Sequence, residues 1–224
     1  MRTVADDTTD TARDPGNRRG LPATGWAVLG LLSFGGELSG YDLKKWSDRS
    51  LCFFYWSPSF SQIYSELKRL EKAGYAASRM VAQETGTRDK RVYRITDEGL
   101  AAVRDWARET PVDAPVLKHG PMLRLWLGHL LEPGQMREVL RRQEEFAESM
   151  RLRAAADARD AQDAEDAEGA QDERDTQEVR DGAAGAYPAL TLKWAERYYA
   201  SERDLATAML SDIERLGAEA DGRL

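Results

Sequence analysis

One cysteine, two histidines and the lack of any long apolar run set the first limits on this 224-residue chain. The single thiol, Cys52, excludes an internal disulfide framework and fits a reducing compartment. A small, buried, unreactive role is expected for it. No apolar stretch approaches the ~20 residues that a bilayer span needs. Residues 1–20 carry Asp6, Asp7, Asp10 and Asp14 and have no apolar centre of a secretory signal. A cytoplasmic chain without a membrane partner is expected. His119 and His129 have no companion ligands at metal spacing, and Glu132, three residues after His129, does not complete a set. The sequence also lacks a glycine-rich phosphate loop, a nucleophile elbow and a catalytic triad. No cofactor, metal site or enzymatic activity is expected.

What is present is charge, unevenly placed. The net charge is −7, with 32% charged residues. Residues 154–186 hold eleven acids and three arginines, a balance of −8, so the rest of the chain is close to neutral. Residues 57–94 hold eight basic and four acidic residues, a balance of +4. A locally basic face is what phosphate neutralisation needs, whatever the total.

Along the chain, residues 1–20 read as a disordered arm. A helix is expected from Thr24, as its cap, to about Phe34, closed by Gly35-Gly36. A second starts at Ser39, with Asp42 completing a short capping box. The aromatic run Phe53-Phe54-Tyr55-Trp56 precedes Ser57-Pro58, a start signal for a third helix to Ala73, closed by Gly74. Phe60, Ile63, Leu67 and Leu70 give that helix a stripe facing the core. Tyr75–Gln83 and Arg91–Ile95 read as strands around the loop 84–90, with Gly86 free to take positive φ. Thr96 caps a fourth helix to about Glu109, and Trp26, Trp46 and Trp56 are expected in the first core. This order is a winged helix-turn-helix over residues 21–110.

A linker over 111–120 leads to a helical second region, 121–217. Met122–Leu131 is apolar enough to be buried, and the helical stripe continues to Met150. Between Leu152 and Val179 there is no large apolar side chain. This acidic, alanine-rich segment, about 154–186, reads as a solvated helical extension that frays near Gly169. Leu190, Trp194, Tyr198, Leu205, Met209, Ile213 and Leu216 then form a stripe on a last long helix. The fold class is mainly α: a winged helix-turn-helix with a two-stranded β-wing, then an α-helical dimerisation domain.

In a helix-turn-helix the third helix enters the major groove and reads base edges from its N-terminal residues. Ser59, Ser61, Gln62 and Ser65 suit base or phosphate contact, Gln62 by bidentate pairing with adenine. Lys68 suits phosphate. Arg69 is expected to pair with Glu71 instead. Arg88, Lys90 and Arg91 lie on the wing, where cations suit phosphate or the minor groove. The alternative for all of these is a solvated charged face. Trp126, Trp194 and Tyr198 are candidates for an effector pocket for a small aromatic molecule, or else for core at a dimer contact.

Several segments resemble the PadR family of transcriptional regulators: Leu29-Gly-Leu-Leu-Ser33, Ser39-Gly-Tyr-Asp-Leu43, Ser61-Gln-Ile-Tyr64, Leu67-Lys-Arg-Leu-Glu71 with Gly74, and Val92-Tyr-Arg-Ile-Thr96 with Gly99. The resemblance implies a homodimer joined through its C-terminal helices, binding double-stranded DNA as a repressor under effector or partner control. It also implies that Tyr41 and Tyr64 lie near the DNA backbone. Two departures stand out. Ser65 occupies a position where the family usually has proline, and Gly86-Thr87-Arg88 replaces a Gly-Arg-Pro wing. The alternative function is a winged-helix interaction module that binds no DNA.

Overall fold

The computed structural model describes residues 21–82, 89–112, 114–169 and 178–221. The expected arm 1–20, most of the wing loop with Arg88, and residues 170–177 of the acidic segment lie outside them. Seven helices and three strands are described: α1 (Ala23–Leu32), β1 (Leu38–Ser39), α2 (Gly40–Arg49), α3 (Phe60–Lys72), β2 (Ala76–Val81), β3 (Lys90–Ile95), α4 (Asp97–Glu109), α5 (Gly120–Trp126), α6 (Pro133–Gly169) and α7 (Glu178–Asp221). The chain divides into two compact units. One takes the described residues up to Lys45 and Pro58–Ala114; the other takes Trp46–Ser57 and the described residues from Pro115.

The first unit is built on α1, which packs on α3, α4 and β3. Val28, Leu29, Leu32, Leu43, Ile63, Leu67 and Leu70 are fully buried. Each such side chain contributes about 1.5–3 kcal/mol by leaving water. Trp26 stacks on Trp106 at 5.4 Å. Thr24 does not cap α1: the N-cap is Pro22, without a side-chain bond. The buried Glu66 carboxylate of α3 lies against that first turn, where a β-carbon on Gly25 would come 3.0 Å from Glu66 Oε2. An anion is favoured beside amides that no side chain caps.

The sheet is antiparallel in the order β1-β3-β2, with Leu38 opposite Tyr93 and Ala76 opposite Ile95. The sequence reading found β2 and β3. It missed β1, whose two residues are too short to show alternation. Thr96 caps α4 as expected, its Oγ1 accepting from the Gly99 amide at 3.1 Å. Gly35, Gly36 and Gly74 take positive φ after α1 and α3, so these helices end where glycine permits a left-handed turn.

In the second unit α6 and α7 pair antiparallel, as the bonds Arg203–Glu148 at 3.0 Å and Thr207–Glu144 at 2.6 Å require. The α7 seam is Leu192, Ala195, Tyr199 and Ala206, facing Leu140, Ala147, Ala154 and Ala158 of α6. Spacings of three, four and seven are the heptad pattern of helices packed side by side. The large apolar residues of the expected α7 stripe lie off this seam: Leu190, Trp194, Leu205 and Leu216 are exposed. Alanines, not large side chains, make the seam because they let two backbones approach closely. Met122–Leu131 is likewise not buried, and Trp126 is 79% exposed.

The acidic segment is helical as far as Gly169, as expected, but it is not solvated throughout. Ala154 and Ala158 are buried around the Phe53 ring, together with Leu192 and Ala195. Tyr199 meets that ring edge-on at 6.4 Å, and the Arg153 guanidinium lies 5.3 Å from its centroid. Arg49 donates to Asp157 at 3.1 Å and to Asp160 at 2.7 Å. The small residues that suggested a segment without a core are the ones that leave room for Phe53. Trp46 is exposed and Trp56 half-buried, so neither is core.

Cys52 donates its thiol to the Asp48 carbonyl at 2.9 Å, and burial pushes the thiol up, away from the reactive thiolate. His119 caps α5, Nδ1 accepting from the Met122 amide at 3.2 Å, while Nε2 lies 2.8 Å from Glu202. Among the described residues no cluster of His, Cys, Asp or Glu could hold a metal. No described helix is long and apolar enough to cross a membrane.

Candidate nucleic-acid interface

The start of α3 is fixed by a complete capping box whose N-cap, Ser59, is the residue after Pro58. The Ser59 amide donates to Gln62 Oε1 at 2.8 Å, and the Gln62 amide donates back to Ser59 Oγ at 3.3 Å. Ser59 Oγ is also 3.0 Å from Ser61 Oγ. Ser59, Ser61, Gln62, Tyr64, Ser65 and Lys68 are all exposed on this helix, opposite Ile63, Leu67 and Leu70. The sequence reading put Ser61, Gln62, Ser65 and Lys68 of this set on the side away from the core. Gln62 is less free than its exposure suggests, because its carbonyl oxygen is held by the cap and only its amide nitrogen remains to read a base.

Phe60 corrects the expected stripe. It is the first residue of α3 and 45% exposed, stacked on the Tyr41 ring with centroids 6.4 Å apart. Periodicity placed it in line with Ile63, but at the helix terminus that line runs past the edge of the core. Tyr41 is 65% exposed on the first turn of α2. Tyr64 lies over Gly40: a β-carbon there would come 2.5 Å from Tyr64 Cζ and 2.7 Å from its hydroxyl oxygen. Glycine at position 40 is what lets this ring lie across the start of α2, a constraint the sequence could show only as one glycine among eighteen.

The capping box of α2 forms as expected. The Ser39 amide and hydroxyl donate to Asp42 Oδ2 at 2.9 and 2.6 Å, and Asp42 N donates to Ser39 Oγ at 3.2 Å. Lys90 of the wing reaches the same carboxylate at 3.0 Å. Partial burial, the largest single effect on Asp42, pushes its carboxyl up. The Ser39 bonds and the Lys90 ammonium outweigh it and hold the carboxyl below the ordinary value. Lys90 therefore ties the wing strand to α2. Arg91 is exposed beside it. On β2, Arg79 holds Glu37 with two bonds, at 2.6 and 2.5 Å. Arg69 pairs with Glu66 at 3.5 Å, not with Glu71, which accepts from Ser78 at 2.5 Å.

Of the candidate effector residues, Trp194 and Tyr198 stack on α7 at 5.2 Å. Burial, then the Glu202 carboxylate, pushes the Tyr198 phenol up. Trp126 is on α5 and open to solvent.

Residues 28–105 match the Transcriptional regulator PadR-like family. The chain is 41% identical over 92 residues to the negative transcriptional regulator PadR of Bacillus subtilis, a match covering 41% of this chain and 49% of that relative. It thus spans about half the length of that curated relative. The fold is similar to the crystal structure of Bacillus subtilis PadR in complex with operator DNA, with TM-score 0.60, 27% identity, and 86% of this chain and 99% of that one covered. It is also similar to the same protein in complex with p-coumaric acid, with TM-score 0.54, 26% identity, and 86% and 99% covered.

Proposed function

We propose that the protein, whose residues 28–105 match the transcriptional regulator PadR-like family, is a DNA-binding transcriptional regulator that represses from an operator as a homodimer. The observation that carries this reading is the exposed polar and basic face of α3, capped at Ser59 and flanked by the wing strands β2 and β3. In a winged helix-turn-helix that face enters the major groove. The operator complex of the Bacillus subtilis relative favours DNA over a scaffold role. Lys68 and Arg91 are assigned to phosphates. Ser61, Ser65 and the Gln62 amide nitrogen are assigned to the groove, and Tyr41 and Tyr64 to the backbone at its rim. Ser59 acts through the cap and Lys90 through Asp42. Arg88 is kept as a candidate phosphate contact from the sequence alone.

Homodimerisation is assigned to the outward apolar residues of α7, with those of α5. An aromatic effector is assigned to the Trp194–Tyr198 stack, by analogy with the p-coumaric acid complex of the relative. The test is a gel shift with the DNA upstream of the protein's own gene, run over a salt series. Affinity should fall steeply with salt, because each phosphate contact releases a counterion. A purified dimer that binds no duplex at low salt refutes the reading.

A further inference from the structure

We propose that Phe60 reads a thymine, its ring packing on the C5-methyl group in the major groove with Tyr41 as the support behind it. This inference rests on the DNA-binding reading above.

Phe60 is the first residue of α3, between Ser59 and Ser61, at the end of the helix that leads into the groove. An apolar ring left 45% exposed there gains nothing from water and lies outside the buried core. It gains only when something apolar covers it. On the major-groove edges of the four bases, the apolar group is the thymine methyl; the rest are hydrogen-bond donors and acceptors. The position suits that contact because hydrogen-bond readout beside it is depleted. Ser59 is occupied as the N-cap and Gln62 Oε1 is bonded to the Ser59 amide at 2.8 Å. The ring also has a stacking partner before DNA arrives. Tyr41 stacks on it at 6.4 Å, with the planes 17° apart. A side chain already stacked loses less rotamer freedom on binding. Tyr41 is a positioning residue here, and its hydroxyl remains available to a phosphate.

The experiment uses the full chain and a random-sequence duplex library, from which bound duplexes are recovered at low salt and sequenced. Each thymine of the recovered site is then replaced by deoxyuridine, which removes the methyl and nothing else. One position per half-site should bind about four-fold more weakly, the ratio equivalent to burying one methyl-sized group at ~0.8 kcal/mol. In Phe60→Ala, whose folding is checked by thermal unfolding, the thymine-to-uracil ratio at that position should fall to one. Salt-dependent, sequence-selective binding with uracil tolerated at every position overturns this inference alone. So does a uracil effect that persists unchanged in Phe60→Ala. Failure to retain any duplex at low salt overturns the DNA-binding reading, and this inference with it.

Discussion

Gln62 carries two roles on one side chain, and a single substitution separates them. Its oxygen accepts from the Ser59 amide, and the residue is exposed on α3. Glutamate is a preferred partner in a capping box, so Gln62→Glu should keep the melting temperature unchanged or slightly raised. The same change removes the amide donors and puts an anion beside the phosphates. Affinity for the operator should therefore fall at least ten-fold by gel shift. A variant that binds as wild type removes Gln62 from the interface. The exposed polar set on α3 was legible from the sequence because periodicity fixes which face meets the core. Three things were not. Phe60 broke the pattern at a helix end, where one turn no longer has a core beneath it. Gln62 looked free because a capping box needs a known Ncap, and Ser57-Pro58 offered a competing start. Lys90 looked like a free wing cation because its partner, Asp42, lies forty-eight residues away in sequence.

The pairing of α6 with α7 turns on small residues. Sequence reading weights large apolar side chains, so it saw the Leu190–Leu216 stripe and took the alanines of 154–158 as solvated. In a close helix pair the reverse holds. Alanine admits the neighbouring backbone, and at Ala154 and Ala158 it admits Phe53. Phe53→Ala should therefore cost about 3–5 kcal/mol, as large aromatic truncations in cores do, read as a loss of thermal stability. A change below 1 kcal/mol would show that the 46–57 segment is not anchored there. The same helix pair has an acid-sensitive clamp. Hydrogen bonding by Arg151 first, then Arg203, holds the Glu148 carboxyl down to about 2 from 4.5, against an opposing push from desolvation. A carboxyl lowered in the folded state adds stability above its unfolded value and loses it as pH falls through the folded one. Wild type should thus melt above Glu148→Gln at pH 7. The gap should narrow below about pH 4.5 and close near pH 2 in parallel thermal scans.

For the molecule as a whole, net charge misleads: −7 overall coexists with a basic segment over 57–94 because the excess of acid sits in residues 154–186. Part of that acid is bound, since Asp157 and Asp160 hold Arg49. The outward apolar residues of the second unit bear on assembly. Leu190, Trp194, Leu205 and Leu216 recur along α7, and contiguous exposed apolar surface on a soluble protein marks an interaction site. Under the proposed function the occupant is a second copy of the same face, because pseudo-palindromic half-sites mirror a two-fold axis. Leu205, 59% exposed, is the place to break it. Leu205→Glu should leave the thermal stability of the isolated chain within about 0.5 kcal/mol, as surface changes do, while placing two like charges in the dimer contact. Analytical ultracentrifugation should then show a monomer where wild type sediments as a dimer. Operator affinity should fall by orders of magnitude, while weak, salt-sensitive binding to unrelated duplex persists through the single head. A Leu205→Glu protein that stays dimeric would move the interface off α7, most simply to the exposed Leu123, Trp126 and Leu130 around α5.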